Sequence, residues 1–331
     1  MPLTADDIRN MIAAGEGQTL EFKRDVSQRS DTAGELIAFA NTGGGHLLVG
    51  VTDDGQIVGV SDPDAVMNTL ANISRDNCQP FDETPVAGTT LADVDHEAFQ
   101  KYFEKISRQP IAAAGISVEL LLEHTRVATT VNETQRLTVA GLLIFGREPQ
   151  RYMPQSRISA VRFLGNDSTA DRLHPQEMAG TLPQLVNQCG DYVKLYNGVY
   201  TQIDGFVRRE QPFCPPDVVR EVVVNAVAHR DYSIAGSQIR LFFFDNHLEV
   251  RSPGRLPNSM TLESIRFYNY ESRNPLLAQF LNRLGFMEEF GSGIPNMIRQ
   301  MRAHNGTEPE FALEGEEFVV RLFANGRRSG N

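Results

Sequence analysis

Glu221, Asn225 and His229 stand four residues apart, so in a helix all three project from one face. The positions between them are Val222, Val223, Val224, Ala226, Val227 and Ala228. A carboxylate, an amide and an imidazole set into so apolar a helix would be costly to bury unsatisfied. The stripe therefore faces a ligand, a metal or a polar cleft, with a solvated helix face as the alternative that spacing leaves open. Two glycine turns follow it in the chain. Ser252-Pro253-Gly254-Arg255-Leu256-Pro257 comes directly after a strand pattern. Glu289-Phe290-Gly291-Ser292-Gly293-Ile294-Pro295 opens a helix pattern, where exposed N–H groups can cradle a phosphate.

The elements that must position these groups can be read from local signals. Pro215-Pro216 starts a helix over 217–229, because proline is well placed in a first turn. Strands are expected over 237–244 and 247–252, around Asp245-Asn246, with helices after Asn274-Pro275 and after Gly293 and a last strand over 318–323. Upstream, a strand over 158–164 precedes a long helical pattern over 175–196. Residues 81–150 read as a helical connector, with amphipathic helices over 95–106 and 117–122 and a continuously apolar run over 137–145. At the start of the chain, Thr4-Ala5-Asp6-Asp7 caps a helix that Gly15-Glu16-Gly17 ends. A short strand over 20–23, a helix over 32–40 and a buried strand over 46–51 come next. Asp53-Asp54-Gly55 then turns the chain back along 56–60.

Composition narrows the classes. The 331 residues carry 31 Lys+Arg and 42 Asp+Glu, a formal net charge of -11, and are 41% apolar and 22% charged. That is ordinary globular usage and excludes global disorder, collagen and coiled coil. Residues 1–80 hold 5 basic and 12 acidic side chains, 81–150 hold 6 and 10, and 151–331 hold 20 and 20. These totals contain no basic face for phosphates, and the first third should repel polyanions unless a divalent metal intervenes. The densest apolar run, Leu241-Phe242-Phe243-Phe244, is strand-sized, and the first residues lack the basic start and apolar core of a signal peptide. Cys78, Cys189 and Cys214 lie far apart with no CxxC, which excludes a disulfide framework or zinc knuckle. A cytoplasmic protein without membrane association is expected. There is no GxxxxGK[ST] phosphate loop and no GxSxG elbow.

Four motifs in order resemble those of GHKL-type (Bergerat-fold) ATP-binding domains, in the divergent branch of RecG-related transcriptional regulators. They are Arg220-Glu221-Val222-Val223-Val224-Asn225-Ala226-Val227-Ala228-His229-Arg230-Asp231-Tyr232, Ser252-Pro253-Gly254-Arg255-Leu256-Pro257, Ser272-Arg273-Asn274-Pro275, and Gly291-Ser292-Gly293-Ile294. The resemblance implies ATP with Mg²⁺ held by Asn225, Glu221 activating the attacking water of a weak ATPase, and His229, Ser252, Gly254, Leu256, Asn274, Gly291, Ser292 and Gly293 around the nucleotide. It also implies a homodimer. Most relatives have an Asp that reads the adenine amino group where Ser252 stands, so Ser252→Asp is expected to tighten adenine selectivity.

Residues 16–60 resemble the Schlafen-type AlbA domain through Glu16-x4-Glu21-Phe22-Lys23, Ala38-Phe39-Ala40-Asn41-Thr42-x-Gly44-Gly45 and Leu48-Val49-Gly50-Val51-x-Asp53-Asp54-Gly55. In Schlafen nucleases a carboxylate trio binds divalent metal for RNA cleavage. Glu16, Glu21 and Asp53 fall on those positions, so a convergent site for Mn²⁺ or Mg²⁺ is expected, with Lys23 placed to contact a phosphate. The branch has further strands and a Tyr-x-Arg-x-Gly element after the equivalent of Pro80, which here runs directly into Phe81-Asp82-Glu83-Thr84-Pro85. The expected fold is α+β: an AlbA-like α/β domain over 1–80, a helical connector over 81–150, and a GHKL-like two-layer sandwich over 151–331. The expected function is a nucleotide-controlled regulator that binds DNA or RNA. A metal-dependent nuclease with a nucleotide-sensing domain, or an interaction scaffold with decayed sites, are the alternatives.

Overall fold

A computed structural model describes residues 4–17, 19–40, 45–78, 80–204, 207–256, 260–267, 271–287 and 292–324. The fold is α+β, and the chain divides into two compact units, Met1–Gln79 and Pro80–Asn331.

In the first unit, α1 (Ala5–Ala14) opens on a capping box in which Thr4 and Asp7 satisfy each other's backbone N–H. Strands β1 (Leu20–Lys23) and β2 (His46–Val49) pair in parallel. Parallel neighbours need a crossover, which α2 (Arg29–Ala40) supplies. Helix α3 (Pro63–Cys78) follows and packs on α2. Two expectations change here. The strand at 46–49 is only half-buried, because a two-stranded sheet covers little. One small cluster, Leu20, Phe22 and Val51 with Met11, Ile12 and Leu48 against it, lies on the sheet, and Ala33, Phe39 and Ile73 are buried on the helices. The expected return along 56–60 reduces to one antiparallel bridge, Val51 to Ile57, after a turn closed by Gly55 N–H donating to Thr52 O at 2.7 Å.

The second unit is built on a six-stranded sheet in the order β11-β12-β10-β9-β5-β6. Its strands are β5 (Ile158–Phe163), β6 (Arg172–Met178), β9 (Ile239–Phe243), β10 (His247–Pro253), β11 (Glu310–Glu314) and β12 (Glu317–Phe323). Only the β5–β9 pair is parallel. Between those two strands lie α8 (Leu182–Tyr196), the hairpin β7 (Val199–Asp204) with β8 (Val207–Pro212), and α9 (Pro216–His229). The long helical pattern expected from Pro175 is corrected: Pro175 belongs to β6, an edge strand where a missing N–H is tolerated, and α8 starts only at the Thr181 capping box. Helices α10 (Pro275–Leu284) and α11 (Gly293–Asn305) complete the helical layer.

Residues 81–150 contribute α4 (His96–Ser107), α5 (Val118–His124), the hairpin β3 (Ala128–Val131) with β4 (Thr134–Leu137), α6 (Val139–Phe145) and α7 (Pro149–Tyr152). They share one core with the layer beyond. Phe99, Tyr102 and Phe145 pack with Phe280 of α10, the Tyr102–Phe280 and Phe145–Phe280 rings meeting edge-on at 5.5 and 5.4 Å. Asp82, fully buried, accepts the N–H of Leu277 at 2.8 Å and so fixes the turn Phe81–Glu83 to the start of α10.

Alternation divides the sheet faces. Leu241, Phe243, Leu248, Val250 and Leu322 face the helices. The opposite face carries an ion-pair lattice in which Arg251 and Arg321 bracket the buried Glu249 and reach Glu314, while Arg240 pairs Glu317.

Candidate functional site

Helix α9 has proline at its first position and Asp217 in its first turn, but no glycine to end it. Its last carbonyls have no intrahelical partner and must find one elsewhere. They find it in the motif residues. Ser252 Oγ donates to Ala226 O at 2.9 Å, Tyr232 Oη to Val227 O at 2.8 Å, and Asn274 Nδ2 to Ala228 O at 2.9 Å and Arg230 O at 2.8 Å. Just beyond, the buried Arg230 lies over the Tyr232 ring at 4.9 Å and donates to the carbonyls of Asp231, Ile234 and Ser237. Asp231 N–H donates to Pro253 O at 2.8 Å, which brings the first glycine turn against the helix exit. Gly254 has φ +117°, and a Cβ there would lie 2.8 Å from Asp231 Cβ, so only glycine fits. Arg273 ties the assembly together, donating to Asp231 Oδ2 at 3.1 Å and Arg255 O at 2.7 Å.

The exit of α9 thus frames a cleft of about 120 Å³, partly open to solvent. Its floor is apolar, with Val250 and Ser252 of β10 beside Phe318 and Val320 of β12. One wall is the stripe Glu221, Asn225 and His229, all half-buried while the valines and alanines between them are buried. Asn225 Nδ2 donates to Glu221 Oε1 at 3.0 Å. Gly293, the first residue of α11, closes that end: a Cβ there would lie 2.0 Å from Glu221 Oε1. The rim holds Arg255, Glu271 and Arg273. Desolvation, assisted by the Arg273 charge, pushes the His229 imidazole down to about 4, so it is neutral at pH 7.

The structure gathers Glu221, Asn225, His229, Ser252, Gly254, Leu256 and Gly293 around this cleft. Ser292 stands at the N-cap of α11, and Gly291 lies outside the described residues. Two expectations are corrected. Asn274 is fully buried and holds the end of α9 instead of contacting a ligand. Ser252 lines the floor, but its proton is committed to Ala226 O, so an Asp at 252 would set carboxylate oxygens against a carbonyl. The floor residues Val250, Phe318 and Val320 carry no local signal, because ordinary strand residues do not show in sequence what they face; Arg273 lies in the Ser272-Arg273-Asn274-Pro275 motif, but its place on the rim depends on Asp231 and Arg255, far from it in the chain.

An Mg²⁺ ion fits the donors present. With its Nδ2 given to Glu221, the Asn225 amide presents its carbonyl oxygen, and a carboxylate plus an amide oxygen are hard ligands of the kind magnesium takes.

In the first unit the expected carboxylate trio does not assemble. Among the described residues no group of three or more His, Cys, Asp or Glu side chains is placed to hold a metal. Glu16 Oε1 accepts the N–H of Phe22 at 2.9 Å, Glu21 pairs Lys23 at 2.5 Å, and Asp53 is exposed in its turn. The two glutamates are each engaged by a near neighbour in the chain. The hydrogen bond that Lys23 donates to Glu21 raises the Lys23 pKa, so this ammonium stays charged and engaged.

Three stretches of the chain match known families. Residues 16–103 match the family described as Schlafen, AlbA_2, and residues 236–322 match that described as Putative ATP-dependent DNA helicase recG C-terminal. The chain joins a Schlafen AlbA-type domain to a divergent ATPase-like domain. The AlbA-type match runs past Gln79, where the first compact unit ends. The ATPase-like match takes in Ser252, Gly254 and Asn274 but begins after α9, so the stripe on that helix rests on geometry alone. Residues 71–159 match a domain of unknown function, DUF8451. No curated protein matches the chain significantly. A similar solved structure is that of the DIP2311 protein from Corynebacterium diphtheriae, 21% identical, with TM-score 0.55, covering 96% of this chain and 79% of that one. That likeness supports the fold. Among the described residues no helix is long and apolar enough to cross a membrane.

Proposed function

We propose that the ATPase-like domain binds ATP with Mg²⁺ in the cleft beside α9, and that its occupancy controls assembly of a homodimer and nucleic-acid binding by the AlbA-type domain. On this reading the protein is a cytoplasmic, DNA- or RNA-binding regulator of transcription. The observation that carries the reading is the meeting of the Glu221–Asn225 pair with the first turn of α11 at one end of an apolar-floored cleft. A ligand with a flat, weakly polar part and an anionic end matches such a site, and helix N-termini favour the anion. When bound, Mg²⁺ would neutralise phosphate charge. Asn225 would orient it through its carbonyl oxygen, and Glu221 would stand as base for a weak hydrolysis. The names of the two matched families support the nucleic-acid link. With no gathered carboxylate trio, the nuclease alternative has less support than the regulatory one.

Calorimetric titration of the full chain with ATP and Mg²⁺ tests the binding. We predict saturable heat for the wild type, loss of Mg²⁺-dependent binding in Asn225→Ala, and binding without hydrolysis in Glu221→Ala. A wild type that gives no heat with any nucleotide at millimolar concentration would refute the reading.

A further inference from the structure

Three cations from three helices meet at one turn of the second unit, in a chain whose formal net charge is -11. Helix α10 ends on Leu284, capped by Gly285 in the left-handed region at φ +89°. Its last carbonyls are left for donors from outside the helix. Lys105 of α4 donates its Nζ to Leu284 O at 2.9 Å, and Arg220 of α9 donates Nη2 to Gly285 O at 2.8 Å. Arg283, in the last turn of α10 itself, donates to Tyr102 Oη of α4 at 3.3 Å. All three residues are exposed, and among the described residues none of them is in an ion pair. Charge totals along the sequence hid this patch, because its members lie 115 and 63 residues apart in the chain.

Capping alone does not account for the group. A helix C-terminus carries about half a unit of negative charge, which one cation satisfies. Three cations with no carboxylate among them repel one another and leave positive charge facing water. Beside them lies an open hollow of about 500 Å³, lined by Phe103, Lys105, Ile106, Ser107 and Arg283. Sites for small molecules enclose most of their ligand, and this one does not. Exposed cations beside a half-buried aromatic ring suit a longer anion that runs across the surface and carries flat apolar groups. We propose that this patch is a nucleic-acid contact of the second unit: Lys105, Arg220 and Arg283 neutralise backbone phosphates, and Phe103 gives a base or sugar an apolar surface. An acidic peptide would meet the same charge but make no use of the ring. The patch shares no lining residue with the nucleotide cleft and lies outside the AlbA-type unit, so it adds to the nucleic-acid binding proposed for that unit.

The test measures binding of labelled oligo(dT) to the full chain by fluorescence anisotropy over a range of salt concentrations. The variants are Lys105→Gln, Arg220→Gln and Arg283→Gln, since a glutamine amide still donates to a carbonyl or hydroxyl but carries no charge. Lys194→Gln is the control: it removes the same charge from α8, where Lys194 already pairs with Asp191. We expect each patch variant to bind roughly 3- to 10-fold more weakly at low salt. The slope of log affinity against log salt should become shallower by about 0.7 for each lost phosphate contact. Lys194→Gln should match wild type. Partial unfolding of a variant would lower the amount bound without changing that slope, so the slope decides. Affinities and slopes unchanged in all three variants overturn the patch and leave binding by the AlbA-type domain standing. No binding by the wild type overturns both. Labelled poly-glutamate bound as tightly as oligo(dT), and weakened by the same variants, overturns the nucleic-acid assignment in favour of an acidic protein partner.

Discussion

Ser252 illustrates how the direction of one hydroxyl decides a residue's role. It sits on the floor of the cleft, at a position that resemblance assigns to base reading, but its proton goes to Ala226 O, a carbonyl that α9 cannot satisfy itself. Truncation leaves that carbonyl unpaired, whereas a carboxylate adds acceptor against acceptor in a site that is 6% exposed. We therefore predict that Ser252→Ala costs about 1–2 kcal/mol and Ser252→Asp roughly 2–4 kcal/mol in urea denaturation. If Ser252→Asp proved as stable as wild type and bound ATP more tightly, base reading would be restored as the role of this position.

At the scale of elements, legibility followed the range of the interactions. The stripe on α9 could be read because its spacing is local and Pro215-Pro216 marks its start. The caps on its other end could not, since Ser252 and Asn274 reach it across 26 and 46 residues. The carboxylates Glu16, Glu21 and Asp53 failed for the opposite reason: near partners, Phe22 N–H and Lys23 for the two glutamates, outcompete convergence. The longest-range case is Asp82, 195 residues from the Leu277 N–H it accepts. Desolvation raises its carboxyl from 3.8 to about 6, against the lowering effect of the Leu277 and Leu276 N–H groups. The folded state therefore binds a proton that the unfolded state has released between about pH 4 and 6. The contribution is greatest at the acid end and is lost as pH rises through 6, by roughly 3 kcal/mol over two pKa units. Asp82→Asn keeps an acceptor for Leu277 and does not titrate. We predict that wild-type stability relative to Asp82→Asn falls as pH is raised from 4 to 6.5 and is level above. A difference independent of pH would mean that Asp82 keeps its ordinary pKa.

At the scale of the molecule, the two units differ in how much holds each together. Among its described residues the AlbA-type unit has a two-stranded sheet and few buried apolar side chains, Leu20, Phe22, Ala33, Phe39, Val51 and Ile73, whereas one continuous core runs through the second unit from Val94 to Ala324. Buried apolar area is the main favourable term in folding, so the first unit should open at lower temperature. The cleft lies wholly within the second unit, and a ligand stabilises only the structure that binds it. These two statements predict the calorimetric trace of the full chain: two transitions, of which ATP with Mg²⁺ raises only the upper. At a ligand concentration of about 100 Kd the stabilisation is about 2.7 kcal/mol, and in a unit of this size that shifts the upper midpoint by roughly 5–10 °C. Asn225→Ala should keep both transitions and lose the shift. A single transition that moves as a whole with nucleotide would mean that the two units unfold as one, and that occupancy of the cleft is felt directly by the AlbA-type domain. Two transitions with only the upper one moving would instead require nucleotide control to act through assembly, so sedimentation with and without ATP and Mg²⁺ should then show the homodimer forming on the nucleotide.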